Sequence, residues 1–488
     1  MTAQTQMVVV FVTYLVFLVA WGLYQGRRVR SGLDFAIAGR RLPGWVAALS
    51  ERATGESSWA LLGLPGFAYA QGLVSIWTAV GCVAGIVVAW ALLSWRLRAE
   101  AELYQVRTFT DYVARRHSPL QGAIRCVASL TIVFFFFFYV GAQFLGGGKV
   151  LNTLFGLDQR WGILLTALII APYCVYGGFR SVVYTDVVQA LIMIATLLVG
   201  PAVGLVAIAG RGDVYARSVP EALARAGGGL ESLTGAMGGL AAGIAVMGGL
   251  SWFFGYLGGQ PQLTLRFMAI RDAAQARRAR WIGLAWTILA YAGALSIGWI
   301  GLALFGPNQL PDPEHVMPAV LRALLPPPLA ALLIVGAVAA MISTADSLLL
   351  VASTELAENL LRPLQARAPQ SEAKRLMHAR MITGLLAAIA LVVAYVSPSR
   401  LIYSLVGYVW AGIGGTFSVV ILGTLFSRRF HARAALITIV VGVVFTVVWI
   451  RTGLEEVITA RVMTFVVAGI AAVLFSLLIP APEKQAPC

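Results

Sequence analysis

The chain has 488 residues, 59% of them hydrophobic and only 12% charged, with a formal net charge of +15. Soluble domains carry about 25% charged residues, so this composition, with a mean hydropathy of +0.83, excludes a soluble globular enzyme and reads as a polytopic membrane protein. The basic excess does not mark a nucleic-acid partner, because Lys and Arg fall in short loops on alternate membrane faces.

Apolar segments recur at about 7–24, 43–66, 73–95, 122–147, 161–176, 183–209, 235–257, 281–306, 327–356, 380–397, 401–426, 434–450 and 462–479, which predicts thirteen transmembrane helices in an all-α fold surrounded by membrane lipid. The first is followed by RRVR and has no small-residue cleavage site, so it is expected to be a retained span. Lys and Arg divide 26 to 9 between the two sets of loops, with Arg52 alone in a span. On this count Arg266 belongs to an inner loop, and Lys149 and Arg461 to outer ones. The N-terminus is then outside and the C-terminus inside the cell membrane. Connectors near 210–234, 306–326 and 357–380 are Gly-, Pro- or charge-rich, and the tail PAPEKQAPC is expected to be disordered. Cys82, Cys126, Cys174 and Cys488 lack metal-like spacing, which predicts no disulfide framework. His117, His315, His378 and His431 fall in loops or at helix ends, which argues against haem ligation and a membrane enzyme. The short tail is expected to leave no room for the signalling domain of a transporter-derived sensor.

Taken in chain order, the second span is the first unusual one. Its centre, at 50–58, is SERATGESS. Ionisable groups at membrane depth cost a few kcal/mol each, about 2.5–3.5 on insertion scales, and usually face a cavity or one another. A helix broken there can turn free carbonyls toward a cation and a half-helix N-terminus toward an anion. In the fourth span, 134–138 is a phenylalanine run that reads as packed or lipid-facing, whereas Tyr139 and Gln143 lie one turn apart. Asp186 stands near the start of the sixth span and could cap a helix, pair with Arg180 or bind a cation. The seventh span is loosened by Gly248, Gly249, Gly255, Gly258 and Gly259, and carries Trp252, Phe253, Phe254 and Tyr256. Two interrupted spans five apart suggest an inverted repeat, 43–209 and 235–426, with one extra N-terminal and two extra C-terminal helices. The ninth span contains Ser343, Thr344, Asp346 and Ser347 on roughly one face, oxygen ligands suited to sodium unless the hydroxyls merely bond back to their own helix.

At these residues the chain resembles the sodium:solute symporter family, and most closely its sodium/proline symporter branch. The resemblance covers nearly the whole length: ALS followed by SSWALLGLPG at 48–66, YTDVVQALIM at 184–193, GQPQLTLRFMA at 259–269, ISTADS at 342–347 and VWAGIG at 409–414. It implies the five-plus-five, LeuT-like inverted-repeat fold, sodium-driven uptake and alternating access. By position it implies a principal sodium site of the carbonyls of Ala53, Glu56 and Ala340 with the hydroxyls of Ser343 and Thr344. Asp186 with Ser343, Asp346 and Ser347 resembles a further sodium or transit site. Ser57, Trp59, Tyr139, Trp252, Tyr256 and Pro261 match positions implicated in substrate binding in the proline branch.

The chain also departs from that branch. Gly55 and Glu56 stand where proline symporters place Asp and Met, Glu51 and Arg52 where they place small residues, and LGGQP is one residue longer than usual. Glu56 is expected either to supply the missing Asp's charge, with sodium or a proton as coupling ion, or to form an internal ion pair with Arg52. The resulting expectation is a sodium-coupled importer of a small amino acid, proline leading. The alternatives are a proton- or sodium-coupled carrier of another small carboxylate or zwitterion, and a sensor.

Overall fold

The computed structural model describes residues 2–29, 32–361, 372–397 and 401–481. Arg30, Arg362, Arg367, Arg400, Lys484 and Cys488, and with them part of the 357–380 connector and most of the C-terminal tail, lie outside the described residues. The labelled helices, in chain order, are α1 (Ala3–Gly26), α2 (Gly44–Ser58), α3 (Leu64–Gln71), α4 (Ile76–Val88), α5 (Ser94–Leu103), α6 (Phe109–Arg116), α7 (Gln121–Phe155), α8 (Gln159–Gly210), α9 (Gly239–Leu250), α10 (Trp252–Gly255), α11 (Pro261–Ala269), α12 (Ala273–Phe305), α13 (Pro327–Thr354), α14 (Glu372–Val396), α15 (Ile402–Val409), α16 (Thr416–Phe426), α17 (Ala432–Arg451) and α18 (Ala460–Leu478), with short unlabelled helices at Gly32–Ile37, Val219–Ala226 and Val316–Leu324. Single π-helical turns join α2 to α3, α4 to α5 and α15 to α16. Among the described residues, 10 helical stretches are long and apolar enough to cross a membrane, and Gln159–Ala171 and Gly239–Gly255 are shorter apolar helices. One long stretch, Gly44–Leu103, leaves helical geometry at Gly72 (φ +61) and covers two of the expected spans.

The surface fits a lipid solvent. Large apolar side chains stand on it, among them Leu240 (82% exposed) and Val206 (75%), while Glu51, Arg52, Glu56, Asp186, Arg266 and Asp346 are buried inside. α13 is almost entirely interior and packs along α7 and α8 and against α2. α12 covers the other side of α2. Thus the second and ninth expected spans form the axis of the molecule.

Three sequence boundaries change. The expected spans at 161–176 and 183–209 form one path, α8, broken only at Gly178 (φ 61, ψ 178). Only glycine reaches this geometry at low cost, and a Cβ there would lie 2.6 Å from the Phe35 ring. α7 runs on to Phe155, so Lys149 is not in an outer loop but buried on that helix, 2.6 Å from Asp312 and 2.5 Å from Glu314. The seventh span does not end at 257. It resumes as α11, which makes GQPQLTLRFMA the second half of a broken helix and places Arg266 inside the protein, fully buried.

Candidate solute and cation sites at two broken helices

The first break is at Ser57, where α2 leaves helical geometry (φ 47, ψ −166). Such a backbone state costs about 1–3 kcal/mol outside glycine and persists where its surroundings hold it. The Ser57 Oγ accepts Trp59 N–H at 3.2 Å and Tyr139 O–H at 3.3 Å. One turn along α7, Gln143 Oε1 accepts Ser58 N–H at 3.1 Å. Tyr139 and Gln143 therefore brace the break, and Trp59 N–H closes onto the Glu56 carbonyl.

The second break separates α10 from α11. Gly255 is required there because a Cβ would collide with the Trp410 ring, and Gly258 takes φ +86. The two breaks meet through their aromatic residues. Trp59 stacks on Trp252 with centroids 4.4 Å apart and planes 10° apart. Tyr256 O–H and Tyr291 O–H share a hydrogen bond of 2.9 Å, and the Tyr256 ring lies 4.3 Å from that of Trp410. Trp252 Nε1 donates to Tyr403 Oη at 3.2 Å. Ser57, Trp59, Tyr139, Trp252 and Tyr256 are thus brought into one buried cluster. Pro261 is not part of this ring cluster. It opens α11 at the far end of the break, where its missing N–H leaves no helical bond unmade.

The oxygen-rich cluster lies on another face of α2. Thr344 Oγ1 donates across to the Thr54 carbonyl at 3.0 Å, so it does not bond back to its own helix. Ser343 Oγ is 3.5 Å and Ser347 Oγ 3.1 Å from Thr54 Oγ1. Ser347 alone bonds back, to the Ser343 carbonyl at 2.7 Å. Ala53, Glu56 and Ala340 are fully buried, as are both hydroxyls.

Asp186, Asp346 and Ser347 also converge, but around an arginine. Arg266 Nη2 lies 2.8 Å from Asp186 Oδ2 and 2.6 Å from Ser347 Oγ, and its Nε donates to Ser50 Oγ at 2.7 Å. Ser50 Oγ in turn donates to Asp186 Oδ2 at 2.5 Å. Asp346 Oδ1 lies 3.2 Å from Ser347 Oγ. The guanidinium supplies the positive charge that a second sodium would bring to Asp186. Among the described residues, Asp186 Oδ1 and Asp346 Oδ2 accept no hydrogen bond.

Glu56 is committed to an ion pair. Arg52 Nη1 lies 2.9 Å from Glu56 Oε1 and 3.2 Å from Thr287 Oγ1 on α12, and Arg52 Nε donates to Glu51 Oε2 at 2.6 Å. Trp90 Nε1 donates to the same Glu51 oxygen at 3.0 Å. Side chains two positions apart on a helix diverge by about 200°. Thr54 faces α13, so the Glu56 carboxylate, two residues on, points to α12 and away from Ser343 and Thr344.

Residues 35–442 match the family described as "Sodium:solute symporter family". The chain belongs to the sodium:solute symporter family. The osmoregulated proline transporter OpuE of Bacillus subtilis is 31% identical over 96% of this chain and 94% of its own length. The high-affinity proline transporter PutP of the same organism is 31% identical over 95% and 96%. Among solved structures, a substrate-bound, outward-open Na+-coupled sialic acid symporter superposes with a TM-score of 0.81 at 18% identity, covering 98% of this chain and 99% of that one. Mhp1, a nucleobase-cation-symport-1 family transporter in a closed conformation, gives 0.54 at 16% identity, covering 91% and 93%. The fold is therefore LeuT-like, and this protein is a multi-pass, sodium-coupled solute symporter, a transporter and not an enzyme.

Sequence reasoning missed several partners in this symporter. Tyr291 and Tyr403 are flanked mostly by apolar residues, and a tyrosine in such surroundings is a weak signal. Arg266 carried a stronger one. It follows Pro261 by five residues, a spacing that continues a helix begun at the proline and does not suit a loop.

Proposed function

We propose that this symporter imports L-proline or a closely related small amino acid together with sodium, by alternating access. The observation that carries the reading is the shared origin of the two clusters. The Ser57 break holds the Trp59–Trp252 stack on one side, and three residues earlier Thr54 meets Ser343 and Thr344 on the other. A cation bound by the carbonyls of Ala53, Glu56 and Ala340 and the hydroxyls of Ser343 and Thr344 would tie α2 to α13 and fix the geometry of the solute cluster. Sodium then favours one state only by its differential affinity for the two. Aromatic walls with a few polar groups suit a small, largely apolar ring that carries charged termini, and the names of OpuE and PutP support proline.

The break at Ser57 falls in the second expected span, and the one at 256–260 lies at the end of the seventh. That spacing supports the five-plus-five arrangement with repeats 43–209 and 235–426, and the loop charges support an outer N-terminus and an inner C-terminus. Radiolabelled L-proline uptake into proteoliposomes, challenged with a panel of amino and organic acids, tests the substrate. Strongest competition by unlabelled L-proline is expected. A panel in which a non-amino carboxylate competes better would replace proline as the substrate.

A further inference from the structure

Arg461, at the start of α18, lies outside both proposed repeats, yet its guanidinium carbon is 4.7 Å from the centroid of the Trp252 ring. Its Nε donates to Ser251 Oγ at 2.9 Å and its Nη2 to the Gly248 carbonyl at 3.4 Å. Both acceptors are neutral, and among the described residues Arg461 has no ion pair. Of the two carboxylates in the connector before α18, Glu455 is occupied in capping α18 through Thr459 Oγ1 at 3.0 Å and Ala460 N–H at 2.5 Å, and Glu456 is exposed. Arg461 Nη1 carries no hydrogen bond among the described residues and points at Gly407, where a Cβ would sit 2.5 Å from it. The residue is only part-buried, so it is reachable from the face that carries the connector between α17 and α18.

A partly desolvated cation without a counter-ion is costly, and the cost falls when a carboxylate pairs with it. Arginine is also the side chain that can stack on an indole and still offer a fork of N–H donors to a carboxylate. We propose that Arg461 is a substrate-selecting residue: it receives the carboxylate of an arriving amino acid above Trp252 and hands the solute to the cluster beneath. An accessory helix would thereby contribute to selection in a site otherwise built from the two broken helices. This proposal rests on the amino-acid reading given above.

The test uses full-length protein in proteoliposomes, comparing wild type with Arg461→Gln and Arg461→Lys. L-proline and L-prolinamide, which lacks the carboxylate, are the probes. Arg461→Gln is expected to raise KM for L-proline roughly 10- to 100-fold, the range of a lost charge-assisted hydrogen bond, with a much smaller change in maximal rate. The inhibition constant of L-prolinamide should stay the same, so the variant loses discrimination between acid and amide. Arg461→Lys should lie between. A merely structural pin of α18 on α10 would instead lower maximal rate and weaken both ligands equally, and that outcome overturns the proposal, as does an unchanged proline KM. If the wild type takes up no carboxylate-bearing solute at all, the amino-acid reading itself fails and this proposal falls with it. If wild type does and Arg461→Gln discriminates just as well, only the role of Arg461 falls.

Discussion

The Arg52 guanidinium and the Glu56 carboxylate meet at 2.9 Å, both fully buried and one turn apart on the helix that breaks at Ser57. The same guanidinium holds Glu51, so one cation bridges two carboxylates just before the break. Removing one member of a buried ion pair typically costs about 3–5 kcal/mol because the other charge is left uncompensated. Arg52→Gln is therefore expected to lower the yield of folded protein more than Glu56→Gln, which leaves Arg52 its contact with Glu51. Folded Glu56→Gln should keep wild-type sodium affinity, since its carboxylate faces α12. Well-folded Glu56→Gln with weakened sodium binding would restore that carboxylate to the cation site.

Ser343→Ala and Thr344→Ala should each raise the sodium concentration for half-maximal uptake, by about 3- to 10-fold if each hydroxyl contributes as an ordinary polar contact. Substrate affinity at saturating sodium should change less. Sodium titrations of initial uptake rates check this. Unchanged sodium dependence in both variants would reduce these hydroxyls to α2–α13 packing contacts.

Trp252→Ala should weaken equilibrium binding of L-proline at saturating sodium by about 10-fold or more, the scale of losing a large buried aromatic anchor. Tyr256→Phe removes only the hydrogen bond to Tyr291 and should cost less. Scintillation-proximity binding separates them, and wild-type proline affinity in Trp252→Ala would remove the stack from the solute site.

Arg266 bears on the number of sodium ions. With its guanidinium 2.8 Å from Asp186, sodium activation of uptake should be hyperbolic, and Asp186→Asn should reduce folded protein without changing that shape. A sigmoidal sodium dependence that becomes hyperbolic in Asp186→Asn would establish a second ion at Asp186.

Outside the spans, burial and the neighbouring charges of Arg116 and His431 push His117 down to about 4 from 6.5. Its ring pairs with Thr424 Oγ1 at 3.0 Å. The folded pKa lies below the unfolded one, so the fold favours neutral His117. That contribution is present above pH 6.5 and is lost as pH falls toward 4, on the order of 3 kcal/mol at most. Thermal unfolding in detergent should show His117→Asn losing less stability than wild type between pH 7 and pH 4. Parallel curves would show that His117 is not linked to folding.

Much of this arrangement was legible in the sequence because membrane physics leaves few options. A polar run such as SERATGESS cannot face lipid, and Gly-rich 248–259 cannot be a plain helix packed against Trp410. The clustering of Ser343, Asp346 and Ser347 along α13 could be read from helical spacing alone. What could not be read were charges that bury themselves by pairing. Lys149 and Arg266 look like loop residues to any rule that counts cations, because that rule does not see Glu314 or Asp186 waiting on another helix. Ser57, not a glycine, makes the first break, since the strain there is held by Tyr139 from α7, eighty-two positions away in the chain. Such long-range compensation has no local signature.

The most direct measurement is L-proline uptake into proteoliposomes under an imposed inward sodium gradient, beside an equal proton gradient without sodium. Accumulation of proline above equilibrium with sodium alone, abolished when the gradient is collapsed and reduced in Ser343→Ala, is the expected result. Accumulation driven by protons without sodium, or no proline accumulation under either gradient while another solute is concentrated, would contradict it.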